Sequence, residues 1–165
     1  MQQFQEGSGK SSSFFFFTSN SQFAIKTLKP SELKLLTTSG FLSKYYHYLA
    51  ENPYSMLTRY YGVYKIKIKY MQPVSVVVMD NLMGANANLL TSIYDLKGST
   101  FKRLSKNPFK GTVLKDLNFL QNSRDRVKVN PALQNEIIRR IENDKNFLNS
   151  QYLMDYSLLI MFFRQ

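Results

Sequence analysis

A compact polar cluster, Asp95-Leu96-Lys97-Gly98-Ser99-Thr100, carries residue types that phosphoryl transfer requires. A carboxylate such as Asp95 can orient a hydroxyl nucleophile, and a cation such as Lys97 can hold the phosphate that is transferred. The same residue types also form ordinary turns, because Gly adopts turn conformations and Asp and Ser bond to nearby backbone groups. Taken alone the hexapeptide favours a turn, so the rest of the chain must decide between the two interpretations.

A second group of candidate residues lies near the N-terminus. Gly9-Lys10-Ser11 is not a Walker A loop, because that motif needs a Gly five residues earlier, where the chain has Phe4. A Gly-rich turn between antiparallel strands is the kinase alternative, with Gly7 and Gly9 present and Ser12 in place of a third Gly. A flexible terminal tail explains the segment equally well.

Ala24-Ile25-Lys26 has the apolar-apolar-Lys form of the kinase strand lysine that holds nucleotide phosphates. A surface lysine on a strand is the simpler interpretation, but the order of loop and lysine along the chain favours the kinase alternative. A helix glutamate pairs with this lysine in kinases; Glu32 is the nearest candidate and Glu51 the second. Further along, residues 76–82 have two interpretations. They predict either a buried strand that runs into a hinge whose backbone groups could bind an adenine edge, or a core strand with its exit turn.

Composition limits the possible chemistry. The net charge is +11, from 22 Lys and Arg against 11 Asp and Glu, which predicts anionic partners such as nucleic acid, an acidic membrane face or phosphorylated ligands. The chain has no Cys and a single His, His47, which excludes a Cys nucleophile, disulfides and a multi-His metal site. No apolar stretch approaches the length of a membrane-spanning helix, so peripheral contact with a membrane is expected instead.

Hydrophobic periodicity predicts an α+β fold with antiparallel sheets and flanking helices. Residues 1–13 are polar and predict a flexible start. The predicted elements are strands at 14–18, 23–28, 60–70, 74–79, 92–96 and 156–163, a helix N-capped by Ser31 that breaks near Gly40 and ends near Ala50, a helix at 114–120, and a helix from Asn130 with Leu133, Ile137 and Ile141 on one face. Two small lobes are expected, at about 1–82 and about 83–165.

Residues 60–70 alternate between two residue classes. Tyr64, Ile66, Ile68 and Tyr70 share one face of the predicted strand, and three lysines at 65, 67 and 69 share the other. The basic face could meet phosphates of lipid or nucleic acid, but a solvated strand face is the commoner reason for such a stripe. A turn is predicted at 71–73.

Six segments, in this order, resemble motifs of the phosphatidylinositol phosphate kinase family. They are Gly9–Phe15 (GKSSSFF), Ile25–Thr27 (IKT), Val77–Met79 (VVM), Asp95–Thr100 (DLKGST), Leu114–Phe119 (LKDLNF) and Met154–Leu159 (MDYSLL). The first three are generic to kinases and the last three are specific to the family. The resemblance covers nearly the whole chain, from about Gly7 to Leu159.

The resemblance implies a two-lobed, kinase-like fold and an ATP-dependent lipid kinase. Such an enzyme phosphorylates the inositol ring of a phosphatidylinositol monophosphate, most directly phosphatidylinositol 4-phosphate to the 4,5-bisphosphate, with ATP and Mg²⁺ as cofactors. Lys26 would hold the phosphates of ATP. The full ATP site implied by the motifs is Gly9, Ser11, Ser12, Ser13, Lys26, Met79, Asn81 and Leu82.

The family-specific motifs imply roles for the polar cluster and its neighbours. Asp95 would orient or deprotonate the attacking hydroxyl, and Lys97 and Arg103 would contact phosphate groups. The planar fork of an arginine suits this task because it binds phosphate oxygens in pairs. Asp116 and Asp155 match motif positions without an assigned role. Asp155 begins an apolar strand, where an unpaired carboxylate is costly to bury, so it should be paired or functional.

The chain departs from the family pattern in ways that affect activity. The metal-binding aspartate of the family, in an Ile-Ile-Asp motif, and the loop that selects the substrate would lie beyond Gln165, and no acid follows Asp155. The chain therefore has no metal-binding acid of the family kind, and its C-terminal part is expected to be missing. Since Mg²⁺ neutralises charge in phosphoryl transfer, little or no kinase activity is expected of this polypeptide, and strand 158–163 is expected to lack a partner. Ring-position specificity is not predicted.

The positive charge gains a definite interpretation from the resemblance. A basic face would contact the cytosolic side of the plasma membrane, where each Lys or Arg near the surface contributes on the order of 1 kcal/mol. The main alternative function is a non-catalytic binder of anionic phosphoinositide membranes. A nucleic-acid-binding domain is a third possibility, but the chain has no recognisable nucleic-acid motif.

Overall fold

Two β-sheets and four α-helices make up the residues that the structure, a computed structural model, describes: 2–6, 13–109, 111–122 and 124–164. The elements in chain order are β1 (Gln2–Glu6), β2 (Phe14–Phe17), β3 (Phe23–Thr27), α1 (Pro30–Thr38), α2 (Phe41–Glu51), β4 (Tyr60–Ile66), β5 (Val74–Asp80), a 3₁₀ helix (Gly84–Leu89), β6 (Leu90–Leu96), β7 (Val113–Leu114), α3 (Asp116–Gln121), α4 (Pro131–Ser150) and β8 (Leu158–Phe163). The predicted α+β class is confirmed.

The first sheet has five strands in the order β1-β2-β3-β5-β4, and all neighbours are antiparallel. The predicted β2–β3 hairpin is confirmed, and its turn is closed by Thr18 N–H donating to Phe23 O over 3.1 Å. Val76 and Val77 of the inner strand β5 are almost fully buried. The prediction of a flexible start is wrong for 2–6, because an edge strand needs only backbone hydrogen bonds to its neighbour and a polar sequence does not prevent them.

Strand β4 is shorter than the alternating pattern predicts, and the apolar face of that pattern is not buried at its end. The strand stops at Ile66, and the turn lies at residues 68–71 rather than at 71–73, with Met71 N–H donating to Ile68 O over 3.1 Å. Tyr70, in this turn, has a φ of 67° and is 93% exposed. The pattern failed here because alternation predicts burial only where a second layer covers one face of the strand.

The predicted helix after β3 consists of two helices. Gly40 separates α1 from α2 with a φ of 72°, a left-handed conformation that a Gly adopts without strain, so the predicted break is confirmed. The predicted N-cap is wrong. Lys29 occupies the cap position and Ser31 lies inside the first turn, because Pro30 begins the helix and the Glu32 carboxylate accepts a hydrogen bond from Lys29 N–H at 2.8 Å.

The main hydrophobic core joins helices from both halves of the chain. Leu36 of α1, Phe41 and Tyr45 of α2, and Phe147 of α4 form one buried cluster. Phe147 stacks on Tyr48 with ring centroids 4.3 Å apart. Helix α4 thus packs on the first half of the chain, and the division into lobes near residue 82 stays a prediction.

The start of α4 agrees with the sequence, but its buried face does not. Asn130 caps the helix by accepting a hydrogen bond from Ala132 N–H at 2.9 Å. Leu133, predicted on the apolar face, is exposed, while Ile137 and Ile141 are partly buried. The buried residues of the helix, Asp144 and Phe147, lie in its second half, where Phe147 packs into the core formed with α1 and α2.

A buried carboxylate fastens α4 to the segment before β4. Asp144 accepts hydrogen bonds from Tyr48 Oη at 2.6 Å, Ser55 Oγ at 2.6 Å and Met56 N–H at 2.7 Å. Three donors offset the cost of burying this acid.

The second sheet has three strands in the order β7-β6-β8, with β7 parallel and β8 antiparallel to the central β6. The expectation that strand 158–163 lacks a partner is wrong, because Leu158–Phe163 pairs along the length of β6. Tyr94 of β6 is fully buried between Phe119 of α3 and Phe162 of β8, with edge-to-face ring contacts to both.

We expect Phe147→Ala to destabilise the protein by about 3–5 kcal/mol, because it removes the ring that joins α4 to α2 and leaves a cavity in the main core. Urea unfolding followed by circular dichroism measures this change. Leu133→Ala on the same helix is the matched control and should change the unfolding free energy by less than about 0.5 kcal/mol, since Leu133 is 56% exposed. Equal losses in the two variants would contradict the assigned packing of α4.

Candidate active site

Asp95 stands near the end of β6, on a strand whose other residues are packed into the second sheet. Tyr94 anchors the strand, because its ring is buried and its hydroxyl donates to Asp125 Oδ2 at 2.7 Å and accepts from Asn122 Nδ2 at 2.8 Å. Asp95 is the next residue and points to the opposite face of the strand. Its side chain is 32% exposed, which leaves the carboxylate accessible to a ligand.

Arg103 connects Asp95 to the first residue of α3. Its Nη2 donates to Asp95 Oδ1 at 3.1 Å and also to the Asp95 backbone carbonyl. Its Nε donates to Asp116 Oδ2 at 2.7 Å. The Arg103 side chain is only 12% exposed, so these contacts hold a nearly buried cation between two carboxylates.

Asp116 organises the segment that follows Asp95. While one carboxylate oxygen binds Arg103, the other accepts hydrogen bonds from Lys97 N–H at 3.0 Å and Gly98 N–H at 2.8 Å. Gly98 has a φ of 68°, so the chain turns sharply under this carboxylate in a conformation that favours glycine. The polar hexapeptide is therefore both a turn and a held cluster of charged groups.

The contacts of Asp116 set its protonation state. Burial by itself would raise the pKa of the Asp116 carboxyl, but the hydrogen bonds from the Arg103 guanidinium and the backbone N–H groups outweigh burial and lower this pKa. The carboxylate is thus ionised at neutral pH, which is the state that its three donors require.

Asn118 is a site residue that sequence reasoning missed. Its amide oxygen accepts from Ser105 N–H at 2.8 Å and Lys115 N–H at 3.1 Å, and its Nδ2 donates to the Ser105 carbonyl at 3.1 Å. These bonds tie the segment after Arg103 to α3. The available signal was its position two residues after Asp116 in the LKDLNF motif.

Lys97 and Asp155 meet at the edge of this cluster. Lys97 Nζ lies 3.5 Å from Asp155 Oδ1, and the Asp155 side chain is 91% exposed. Asp155 has a φ of 61° and precedes β8. The sequence predicted that Asp155 is paired or functional, and it is paired; since it is also exposed, the cost of burying a carboxylate does not arise.

Lys26 forms a separate ion pair on the first sheet. Its Nζ lies 2.6 Å from Glu32 Oε1, so the structure selects Glu32 over Glu51 as its partner. Partial burial would raise the pKa of Glu32, but the hydrogen bonds from Lys26 and from Lys29 N–H prevail and lower it. A strand lysine paired with a helix glutamate is the arrangement that positions a phosphate-binding cation in kinases.

The predicted hinge lies at the end of β5 and is held by Asn81. Asn81 N–H donates to Gln22 O at 3.1 Å and its Nδ2 donates to Ser21 O at 2.9 Å, so the hinge is fixed to the β2–β3 turn. Met79 lies within the β5 ladders, and Leu82 is half exposed. Because Asn81 N–H and C=O are used locally, contacts with an adenine would have to come from its neighbours.

The predicted loop residues Gly9, Ser11 and Ser12 lie outside the residues that the structure describes. The connection that contains them joins the antiparallel strands β1 and β2, as a nucleotide-covering turn requires. Ser13 ends this connection and is 2% exposed, and its Oγ has no hydrogen-bond partner in the described part of the chain. A buried hydroxyl without a partner is a polar group that a ligand phosphate could satisfy.

A metal site is not formed by the described residues. No three His, Asp or Glu side chains among them lie together in a way that could hold an ion. Asp95, Arg103 and Asp116 alternate in charge, and Arg103 occupies the position between the two carboxylates that a cation would need. The residues present therefore do not fit Mg²⁺.

The comparisons with known proteins agree with the motifs. The family model described as Phosphatidylinositol-4-phosphate 5-Kinase matches residues 2–164. A probable phosphatidylinositol phosphate kinase from Dictyostelium discoideum is 35% identical over 92% of this chain and 21% of its own length. Phosphatidylinositol 4-phosphate 5-kinase 8 from Arabidopsis thaliana is 36% identical over 92% and 19%, and the mouse type-1 beta enzyme 34% over 92% and 28%.

The α+β fold carries a strand lysine paired with a helix glutamate and, on the second sheet, a carboxylate held by an arginine. The chain belongs to the phosphatidylinositol-4-phosphate 5-kinase family, as its motifs indicated. It spans between about a fifth and slightly over a quarter of the length of the three relatives named above.

The lowered pKa of Asp116 predicts an acid-sensitive fold. An unfolded Asp titrates near about pH 3.9, so the stability from this carboxylate is fully present above that pH and is lost as the pH falls through the lower folded pKa. We expect Asp116→Asn to lower the free energy of unfolding by about 3–5 kcal/mol at neutral pH, because Arg103 then keeps only Asp95 as a counter-ion. On acidification, this variant should lose less stability than the wild type.

Urea unfolding at a series of pH values tests both statements. Glu142→Gln on α4 is the control, because Glu142 is exposed and far in sequence from the cluster. The control Glu142→Gln should show the same dependence of stability on pH as the wild type. Parallel profiles for Asp116→Asn and the wild type would show that Asp116 does not carry this acid dependence.

Proposed function

We propose that the chain supplies the ATP-binding and nucleophile-orienting parts of an enzyme that phosphorylates the inositol ring of a phosphatidylinositol monophosphate. The carrying observation is the network Asp95–Arg103–Asp116, in which a half-exposed carboxylate is held by a nearly buried guanidinium. The relatives named as phosphatidylinositol 4-phosphate 5-kinases make phosphatidylinositol 4-phosphate the first substrate to test.

Asp95 is the proposed base or orienting group for the attacking ring hydroxyl. Its carboxylate is accessible, and Arg103 holds one of its oxygens, so the other can accept the hydroxyl proton or a hydrogen bond. Arg103 acts first as a positioning residue for Asp95. Its three bonds use Nε and Nη2, so Nη1 is the group proposed to meet a phosphate.

Lys97 is the proposed mobile cation at the site. Its backbone is held by Asp116, and among the described residues its amino group pairs with the exposed Asp155; such a surface pair contributes about 0–1 kcal/mol. A phosphate can therefore displace Asp155 at little cost. Asp155 would hold the amino group in place before the phosphate arrives.

The proposed ATP site lies on the first sheet, in the lobe expected at about 1–82. Lys26, held by Glu32, would bind the nucleotide phosphates, and Ser13 would offer a buried hydroxyl that has no hydrogen-bond partner among the described residues. Met79, Asn81 and Leu82 form the proposed hinge, and Met79 and Leu82 would meet the adenine because Asn81 N–H and C=O are bonded to Gln22 and Gly84. ATP supplies the phosphoryl group; Mg²⁺ is expected of the family, but no step is assigned to it on the residues present.

Membrane contact completes the proposal. The net charge of +11 favours an anionic surface, and the cytosolic face of the plasma membrane is the proposed location. No helix in the described ranges is long and apolar enough to cross a bilayer. The alternative function, a non-catalytic binder of phosphoinositide membranes, uses the same charge but needs no nucleotide.

Nucleotide binding distinguishes the kinase from the alternative. We expect saturable binding of ATP by the chain, measured by isothermal titration calorimetry, and a loss of about tenfold or more in affinity for Lys26→Ala, because a charged hydrogen bond to phosphate is removed. Lys34→Ala, an exposed lysine on α1, is the control and should leave the affinity unchanged. Vesicle binding without any ATP binding would favour the alternative function.

Turnover tests the role of Asp95. With ATP, Mg²⁺ and vesicles containing phosphatidylinositol 4-phosphate, we expect little or no product from the 165-residue chain, which has no acid after Asp155. In the longest active product of the gene, Asp95→Asn should lower turnover by about 10²- to 10⁴-fold with the fold intact. Full activity of that variant would refute the assigned role.

A further inference from the structure

We propose that the tip of the β4–β5 hairpin, residues 64–74, inserts into the interfacial layer of an anionic lipid bilayer. This inference rests on the proposed membrane function and names the surface that makes the contact. The hairpin belongs to the first sheet, whereas the polar cluster around Asp95 belongs to the second, so this surface is separate from the residues proposed for phosphoryl transfer.

The tip extends beyond the strand next to it. Pairing between β3 and β5 ends at Thr27 and Val76, while pairing between β4 and β5 continues to Ile66 and Val74. Residues 67–73 then form the turn without belonging to a strand. Since β4 is also the edge strand of the sheet, no strand formed by the described residues lies beside the tip.

Six apolar side chains at the tip are between 42% and 93% exposed: Tyr64, Ile66, Ile68, Tyr70, Met71 and Val74. Single exposed apolar residues are common on protein surfaces, but a contiguous group of this size marks an interaction site. Tyr70 is the most exposed of them. The turn closed by Met71 N–H and Ile68 O holds it at the end of the hairpin.

The charge of the hairpin indicates a lipid partner. Lys65, Lys67 and Lys69 alternate with the apolar residues, and no Asp or Glu occurs between Glu51 and Asp80. Lys69 Nζ lies 4.9 Å from the centroid of the Tyr70 ring, so a cation sits beside the most exposed aromatic group. The hairpin therefore complements an anionic surface.

The residue composition of the hairpin tip favours a membrane over a protein as its partner. Protein–protein interfaces are enriched in aromatic residues and Met but depleted in Lys. Interfacial membrane segments instead combine aromatic and aliphatic anchors with lysines whose stems lie along the apolar layer while the amino groups reach the headgroups. Tyr is also a residue that prefers the headgroup level of a bilayer. The tip has this second composition.

A tryptophan probe tests the insertion directly, because the chain contains no Trp. With vesicles of phosphatidylcholine and phosphatidylserine, we expect the emission of Tyr70→Trp to shift to shorter wavelength and to be quenched by lipids brominated on their acyl chains. Tyr152→Trp is the matched control. Tyr152 is 94% exposed and also has a positive φ of 56°, but it follows α4.

The control should show neither the shift nor the quenching. A shift at Tyr70→Trp alone supports the proposal. No shift at Tyr70→Trp, or equal shifts at both positions, would overturn the assignment of the contact to the hairpin.

Binding measurements give a second, independent test. In vesicle co-sedimentation, the double change Ile68→Ser/Tyr70→Ser should weaken binding by about tenfold or more. Each single Lys→Gln change at 65, 67 or 69 should weaken binding by about fivefold, and only on anionic vesicles. Phe101→Ser, at an aromatic residue in the second half of the chain that is 76% exposed, should have little effect. Because the altered side chains are exposed, thermal unfolding should be unchanged.

The outcomes separate this inference from the proposed function. If the Ile68→Ser/Tyr70→Ser variant binds vesicles as tightly as the wild type, the hairpin contact is overturned, while a lipid kinase is still possible. A dimer of the wild type, seen by light scattering and lost in that variant with vesicle binding unchanged, would assign the tip to a second copy instead and overturn the proposal. Failure of the kinase assignment would appear separately, as vesicle binding without any ATP binding, or as ATP binding that does not depend on Lys26.

Discussion

The Asp116 carboxylate is the interaction on which the second half of the structure depends. It accepts bonds from Lys97 N–H, Gly98 N–H and Arg103 Nε, and Arg103 in turn holds Asp95. A buried acid is tolerated here because each oxygen has donors and because Asp116 is the first residue of α3, where the helix dipole favours negative charge. Without it, the turn after β6 would lose its geometry and Asp95 its orientation.

The two sheets divide the proposed work between them. The first sheet carries Lys26, which pairs with Glu32 of α1, and the second sheet carries Asp95. Helix α4 links the halves, because Phe147 lies in the core formed by α1 and α2, and Asp144 binds three donors from α2 and the segment before β4. A buried acid thus performs the same task twice, fixing an irregular segment to a helix through several donors.

Sequence patterns predicted the elements whose signals are local. The β2–β3 hairpin, the helix break at Gly40, the inner strand β5 and the start of α4 at Asn130 follow from turn residues, a single Gly, an apolar run and a cap. The wrong predictions share a different cause. They all concern features that depend on which part of the chain packs alongside, and hydrophobic periodicity carries no information about that. These features are the strand pairing of 2–6, the partner of β8, the exposure of Leu133 and the end of β4.

The sequence by itself determined the family, because its motifs occur in the order of the family, and it determined which residue types could carry phosphoryl transfer. Only the tertiary structure decided how they are used. It paired Lys26 with Glu32, placed Arg103 between Asp95 and Asp116, and made Asn118 a structural partner. The reason is physical: motif identity is encoded in chain order, whereas hydrogen bonding, burial and pKa depend on groups brought together from distant parts of the chain.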